Sequence, residues 1–193
     1  GITEYEIASG NTNVIYNGAI VVPLASGYID QAGDTAGGTT QALGVLTGVM
    51  YQDSTQKKPV WLNYWPGSGG VSVDTNYPVR VYVADNPNQL FQVSSDASLT
   101  NRATAVATIF ANTDLGTSAR TGSTDTGVSN SQASVANIAA TATLPLRIVG
   151  IVDDDANSDY TAAGIPLKVR LNAHFNAGTR RFDSQSTADS LGI

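Results

Sequence analysis

The densest group of carboxylates in the chain lies between Asp153 and Asp159, in the run DDDANSD. Carboxylate and amide oxygens are hard ligands of the kind that Ca²⁺ takes in proteins. The run lacks the alternating ligand spacing, the central glycine and the final bidentate glutamate of an EF-hand loop. Acidic turns between strands are more often solvated connections that protect sheet edges. The sequence therefore predicts no metal site, although Ca²⁺ binding by this loop stays an open alternative.

Residues for nucleophilic or acid–base catalysis are sparse. His174 is the single histidine, the chain has no cysteine, and the sequence around His174 indicates no serine or carboxylate partner. The Gly67-Ser68-Gly69 run lacks the strand-to-helix context of a nucleophile elbow. Carboxylate pairs such as Asp153 with Asp155 are neighbours on a loop, whereas glycosidase carboxylates face each other across a cleft. We expect a non-enzymatic protein with no catalytic residue and no cofactor.

Aromatic residues are most concentrated between Pro59 and Trp65, in the run PVWLNYW. Aromatic rings close to Asp and Asn side chains can stack on sugars, but Trp and Tyr also fill β-cores and subunit interfaces. Alternation along the run directs at least one ring inward, so we favour a core or interface role. The candidate interface residues are Trp61, Tyr64, Trp65, Arg120, Arg180 and Arg181.

The charge and composition of the chain limit its partners. Its 193 residues include 10 basic and 16 acidic ones, which gives a formal net charge of −6. Nucleic-acid binding needs clustered Lys and Arg, and a membrane span needs about 20 apolar residues; the sequence offers neither. We expect no nucleic-acid or membrane partner, and synthesis in a cytosol. The charged fraction of 13% is about half the usual value and suits extracellular β-proteins or subunits buried in an assembly.

Short runs of β-branched and aromatic residues, separated by Gly, Pro, Asn and Asp, predict strands joined by tight turns. Within Pro78–Ala84 the valines alternate with Arg80 and Tyr82, so the valines are predicted to face inward. Asn17-Gly18 favours a hairpin turn, and glycines within Ala42–Tyr51 predict bending or close backbone approach. The fold class is all-β: a single β-barrel or β-sandwich-like domain with long loops, extended terminal arms and at most one short helix.

The chain is long enough for one well-buried core and short for two domains. Residues 103–110 fit the spacing of a helix and of a strand equally well, and residues 135–142 fit at most a short helix. The predicted organisation is an N-terminal arm (1–12), a β-rich core domain (13–176) that includes a long loop (113–132), and a polar C-terminal tail (177–193).

Six segments of the chain, in the same order, resemble the capsid decoration, or cement, proteins of tailed bacteriophages of the marine and cyanophage type. The likeness extends from about Tyr16 to Phe175. The segments are GVLTGVMYQD (44–53), PVWLNYWPG (59–67), VRVYVADNPNQLFQV (79–93), TDLGTSARTGSTDTGVS (113–129), LRIVGIVDDD (146–155) and PLKVRLNAHF (166–175).

The resemblance implies a non-enzymatic virion structural protein that binds the outer surface of the major capsid protein lattice and stabilises it. It further implies a homodimer or homotrimer on the outer capsid surface, made in the host cytoplasm. On that view the N-terminal arm or the loop 113–132 contacts the capsid. The alternative from another class is a lectin-like, carbohydrate-binding β-sandwich that uses the aromatic cluster of residues 61–65 and the acidic loop.

Overall fold

The structure is a computed structural model that describes residues 1–32, 41–118, 120–154 and 159–177. Within these ranges the chain forms ten strands, one short α-helix and one 3₁₀ turn at Gly116–Ser118. The strands are β1 (Ile2–Ile7), β2 (Ile20–Pro23), β3 (Ile29–Gln31), β4 (Gly44–Gln52), β5 (Pro59–Leu62), β6 (Val79–Ala84), β7 (Phe91–Ser94), β8 (Asn112–Thr113), β9 (Leu146–Ile151) and β10 (Pro166–Leu171), and the helix α1 is Arg102–Ala107.

The strands form two antiparallel sheets. The first has the order β1-β6-β4-β2-β3, with β5 also paired to β4, and the second has the order β7-β10-β9-β8. This arrangement confirms the all-β, sandwich-like fold. The predicted alternation is also confirmed in β6, where Val79, Val81 and Val83 are buried while Arg80 is exposed. The alternation of apolar and polar residues is visible in the sequence because such a strand buries only one of its two faces.

Two groups of buried side chains stabilise the sheets, and β2 contributes to both. Val21 packs with Leu46, Val49 and other residues on one face of the first sheet, in a group that we call the first core. Ile20 and Val22, on the opposite face of β2, pack with side chains of the second sheet, in a group that we call the second core. Because successive residues of a strand point to opposite faces, β2 contributes side chains to both cores.

The N-terminal segment is not an extended arm, which corrects the prediction for residues 1–12. Strand β1 pairs with β6 along its whole length, from Ile2 opposite Ala84 to Ile7 opposite Val79. Ile7 is fully buried in the first core. The alternation of Tyr5 and Ile7 with glutamates is the pattern of an edge strand that is covered on one face, and charged outward residues protect such an edge from further pairing.

The segments that the sequence left open take different structures. Arg102–Ala107 forms α1, whose cap residue Asn101 accepts a hydrogen bond from the Thr104 backbone N–H, 2.9 Å away. Residues 135–142 form turns instead of a helix. Asn17-Gly18 makes a turn, with Gly18 at φ +86°, which the Ala19 N–H closes by donating to the Tyr16 carbonyl at 3.0 Å. The pairing does not continue as a hairpin, because Ile15 pairs with Trp65 and β2 pairs with β3 and β4. Within the described ranges, no helix is both long and apolar enough to cross a membrane.

Candidate interaction surface

The aromatic residues Trp61, Tyr64 and Trp65 lie in three different environments. Strand β5 ends at Leu62, and Trp65 then forms an isolated bridge with Ile15. This change of direction breaks the alternation, so Trp61 is 57% exposed while Trp65 is completely buried. The prediction that at least one ring lies inward is confirmed. Trp65 is a core residue in this fold and is not accessible to a partner, which corrects its place among the candidate interface residues.

Tyr64 supports a small hairpin formed by residues 121–130. The Tyr64 ring stacks on Tyr16, with ring centroids 5.7 Å apart and planes 9° apart. The Tyr64 hydroxyl donates to the Thr124 carbonyl at 3.3 Å, and the Asn63 side-chain amide donates to the Thr126 carbonyl at 2.7 Å. Side chains of the segment after β5 therefore hold the tip of the hairpin.

The hairpin is also attached through its backbone. The Asn17 N–H donates to the Gly127 carbonyl at 2.9 Å, and the Ser129 N–H donates to the Asn17 carbonyl at 2.8 Å. A β-carbon at Gly122 would lie closer than 3.0 Å to the Tyr16 ring, so only glycine fits there. Much of the predicted long loop 113–132 is thus ordered by its own chain, while the outer residues of the hairpin stay exposed, with Val128 50% exposed.

Of the three candidate arginines, only Arg120 lies in the described part of the chain. Its Nε donates to the Ala32 carbonyl at 3.1 Å, which ties the start of the hairpin to the end of β3. Arg120 thus has an intramolecular role in positioning the hairpin. Arg180 and Arg181 lie outside the described residues.

The outer face of the first sheet carries a group of exposed and half-buried side chains that we call the aromatic face: Glu4, Met50, Trp61, Arg80 and Tyr82. The sheet register places Arg80 opposite Met50 and Met50 opposite Trp61. Tyr82 lies opposite Glu4, and its ring centroid is 5.0 Å from that of Trp61, with the planes inclined at 44°. Sequence alternation predicted that Arg80 and Tyr82 face outward, but it could not show which strands lie beside them.

Polar contacts link the aromatic face to the edge strand. The Arg80 Nε lies 3.6 Å from Glu4 Oε1, and the Tyr82 hydroxyl donates to Glu4 Oε2 at 3.3 Å. About half of each charged side chain stays exposed. The face thus combines aromatic rings with a donor and an acceptor that both remain accessible to solvent.

A cleft of about 290 Å³ opens between the two sheets. Its lining is mostly apolar and includes Val45, Phe91, Leu115 and Val128. The exposed side chain of Val128 brings the hairpin to its rim. The cleft shows that the sheets do not close completely against each other beside β2.

Phe110, which follows α1, is another large apolar residue at the surface. It is 80% exposed and adopts φ +75°, a left-handed conformation that is unusual for a bulky residue. Its N–H donates to the Ile148 carbonyl at 2.8 Å, and this bond to β9 fixes the turn. The backbone therefore directs this ring toward solvent.

The carboxylates of the acidic loop that the structure describes have partners within the chain. Asp153 accepts hydrogen bonds from Arg102 Nε and the Tyr160 hydroxyl. Asp159 accepts from the Thr161 hydroxyl and N–H, and these bonds lower the pKa of Asp159. In the described part of the chain, no three His, Asp or Glu side chains are grouped as a metal site would require. Asp155–Ser158 lie outside the described residues.

His174 is buried beside the end of β6. Its Nδ1 accepts a hydrogen bond from the Asn176 N–H at 3.0 Å, whereas its buried Nε2 has no partner. Burial lowers the pKa of His174, and the nearby Asp85 carboxylate opposes that shift. The same carboxylate accepts from the Tyr5 hydroxyl at 2.7 Å, and burial together with this bond raises the pKa of Tyr5.

The burial of His174 predicts a loss of stability in mild acid. Because the folded chain disfavours the imidazolium more than the unfolded chain does, the stabilisation is complete above the unfolded pKa of about 6.5 and declines as the pH falls below it. The free energy of unfolding should decrease by up to about 1.4 kcal/mol per pH unit in this range. Urea unfolding between pH 7.5 and 5.5 measures the slope.

The matched control is His174→Asn, which keeps a hydrogen-bond acceptor near the position of Nδ1 but does not titrate. Since His174 is the only histidine, the variant should show an almost flat profile over the same range. An equal slope in both proteins, or an NMR titration of His174 with a pKa above 6.5, would contradict the prediction.

The two sheets and their surfaces define an all-β, sandwich-like domain. No protein-family model matches the chain, and no significant similarity was found to any curated protein or solved structure.

Proposed function

We propose that the chain is a non-enzymatic capsid decoration protein that binds the outer surface of a tailed phage's major capsid protein lattice and stabilises the shell. The proposal starts from the six collinear segments that resemble such proteins. It places the protein on the virion exterior after synthesis in the host cytoplasm, as a homodimer or homotrimer, with the major capsid protein as its partner.

The observation that best supports this proposal is the ordered hairpin of residues 121–130. Two tyrosine rings and several backbone hydrogen bonds hold it before any partner is present. An ordered segment loses less conformational entropy on binding than a mobile one. Its exposed residues include Thr124, Asp125, Thr126 and Val128, which together present a small, weakly charged contact surface.

Stabilisation of a shell by such a subunit is additive. Each copy buries a modest area across a joint between capsid proteins, and contacts that are linked within one oligomer reinforce each other through their high effective concentration. Exposed apolar side chains, such as Val128 and Phe110, are common in such contacts. No single residue has to dominate the interaction.

The test is co-sedimentation of the purified protein with undecorated, expanded phage heads, with electron microscopy of the pellet. We expect saturable binding and regular density on the shell. Val128→Asp, on the hairpin, should reduce occupancy about tenfold at subsaturating concentration, since a charge buried at an interface without a partner costs more than about 1.4 kcal/mol. Leu90→Asp is the matched control because Leu90 is similarly exposed, at 52%, but lies in the turn before β7.

Two results would count against parts of this account. A folded wild-type protein that does not bind the heads would overturn the decoration function. Equal binding by wild type and Val128→Asp would instead remove the hairpin from the interface and leave the function standing.

A further inference from the structure

The aromatic face has the composition of a ligand site that the proposed decoration function does not use. Trp61 packs closely on the sheet because residue 48 is glycine: a β-carbon there would lie closer than 3.0 Å to the six-membered ring of the indole. Tyr82 supports the same ring from the side. The indole is thus held in place by its neighbours while 57% of the residue remains exposed.

We propose that the aromatic face binds a neutral hexopyranose unit of an oligosaccharide. The C–H groups on one side of the sugar ring lie against the exposed indole of Trp61, whose π-face is negative and attracts them. The sugar hydroxyls bond to the Glu4 carboxylate and the Arg80 guanidinium. This binding is independent of any contact with a capsid.

The polar groups match hydroxyls better than they match ions. A carboxylate only accepts hydrogen bonds and a guanidinium only donates them, whereas each sugar hydroxyl does both. The contacts that Glu4 makes with Arg80 and Tyr82 are long, at 3.6 and 3.3 Å, and a carboxylate has about four acceptor positions. Both charged groups can therefore bond a ligand without breaking their own pair.

The order of side chains across the sheet disfavours the other ligand that aromatic rings commonly bind, a quaternary ammonium cation. Glu6, Arg80, Met50 and Trp61 follow one another across β1, β6, β4 and β5. Arg80, on β6, is two strands from Trp61, whereas Glu4 and Glu6, on β1, are three strands away. The positive charge of Arg80 therefore opposes the binding of a cation to the ring.

Tryptophan fluorescence gives a direct test because the two tryptophans differ so strongly in exposure. Trp65 is completely buried, so a change of emission on adding ligand reports on Trp61. We would titrate the intact protein with maltohexaose, cellohexaose, laminarihexaose and mannohexaose at up to millimolar concentration. At least one of them should give a saturable change, and choline chloride should give none.

Variants then assign the binding to the face. Because loss of a central aromatic contact typically costs more than about 1.4 kcal/mol, Trp61→Ala should weaken binding of the best oligosaccharide at least tenfold by calorimetry, while Trp61→Phe retains part of it. Tyr77→Ala, which removes an aromatic side chain of similar exposure (55%), is the control and should bind like wild type. No saturable signal with any of the four sugars, saturable binding of choline, or equal affinity in Trp61→Ala would each overturn the proposal.

Discussion

Replacement of Trp65 by alanine is expected to lower the free energy of unfolding by about 3–5 kcal/mol, as is usual when a large aromatic side chain is removed from a core. Trp65 is completely buried and meets Tyr51 edge-on, with ring centroids 6.4 Å apart. Its Nε1 donates to the Asn11 carbonyl at 3.1 Å. The variant would lose this hydrogen bond as well as its packing, and a cavity would remain beneath the first sheet.

Trp61→Ala makes the same chemical change at the surface and is the matched control. We expect it to cost about 1 kcal/mol or less, because most of the Trp61 side chain is already hydrated. Urea unfolding followed by far-UV circular dichroism measures both variants without depending on tryptophan emission. Similar losses in the two variants would contradict the assignment of Trp65 to the core and Trp61 to the surface.

Gly44→Ala is expected to destabilise the centre of the first sheet by about 3 kcal/mol, the upper part of the range for overpacked cores. A β-carbon at Gly44 would lie closer than 3.0 Å to the Ala84 carbonyl oxygen and to Val83 Cγ1. The carbonyl belongs to the backbone of β6, which is paired on both sides. It cannot move aside without disturbing β1 or β4.

The control for this prediction is Gly69→Ala. Nothing lies within 4 Å of the position that its β-carbon would take, and its φ is outside the left-handed region. This variant should change the unfolding free energy by no more than about 0.5 kcal/mol. If thermal unfolding shows Gly44→Ala to be as stable as wild type, then β4 and β6 do not approach as closely as described.

The sequence predicted the parts of this fold that depend on local alternation. Strand β6 is one example, since its valines face one core and its polar residues face solvent. The pattern failed at Trp65 because the chain changes direction after Leu62 and a bridge to Ile15, 50 positions earlier, turns the ring inward. No local signal encodes a pairing over that distance.

On the candidate surfaces, too, local alternation could be predicted from the sequence and long-range contacts could not. The outward orientation of Arg80 and Tyr82 followed from alternation, but their contacts with Glu4 did not, because residues 1–12 were expected to form an arm. The edge strand has only one covered face, so half of its residues are polar and its apolar signal is weak. The segment that contains Gly122 was predicted only as part of the long loop 113–132, whereas Gly122 is required because the Tyr16 ring occupies the adjacent space.

The position of β2 between the two cores affects how the molecule unfolds. Val21 closes one core while Ile20 and Val22 close the other, so neither sheet can separate from this strand without exposing apolar surface in both halves. The two halves should therefore melt in one cooperative transition, and partial opening should be confined to edges and loops. A single short strand thus makes one folding unit out of two cores.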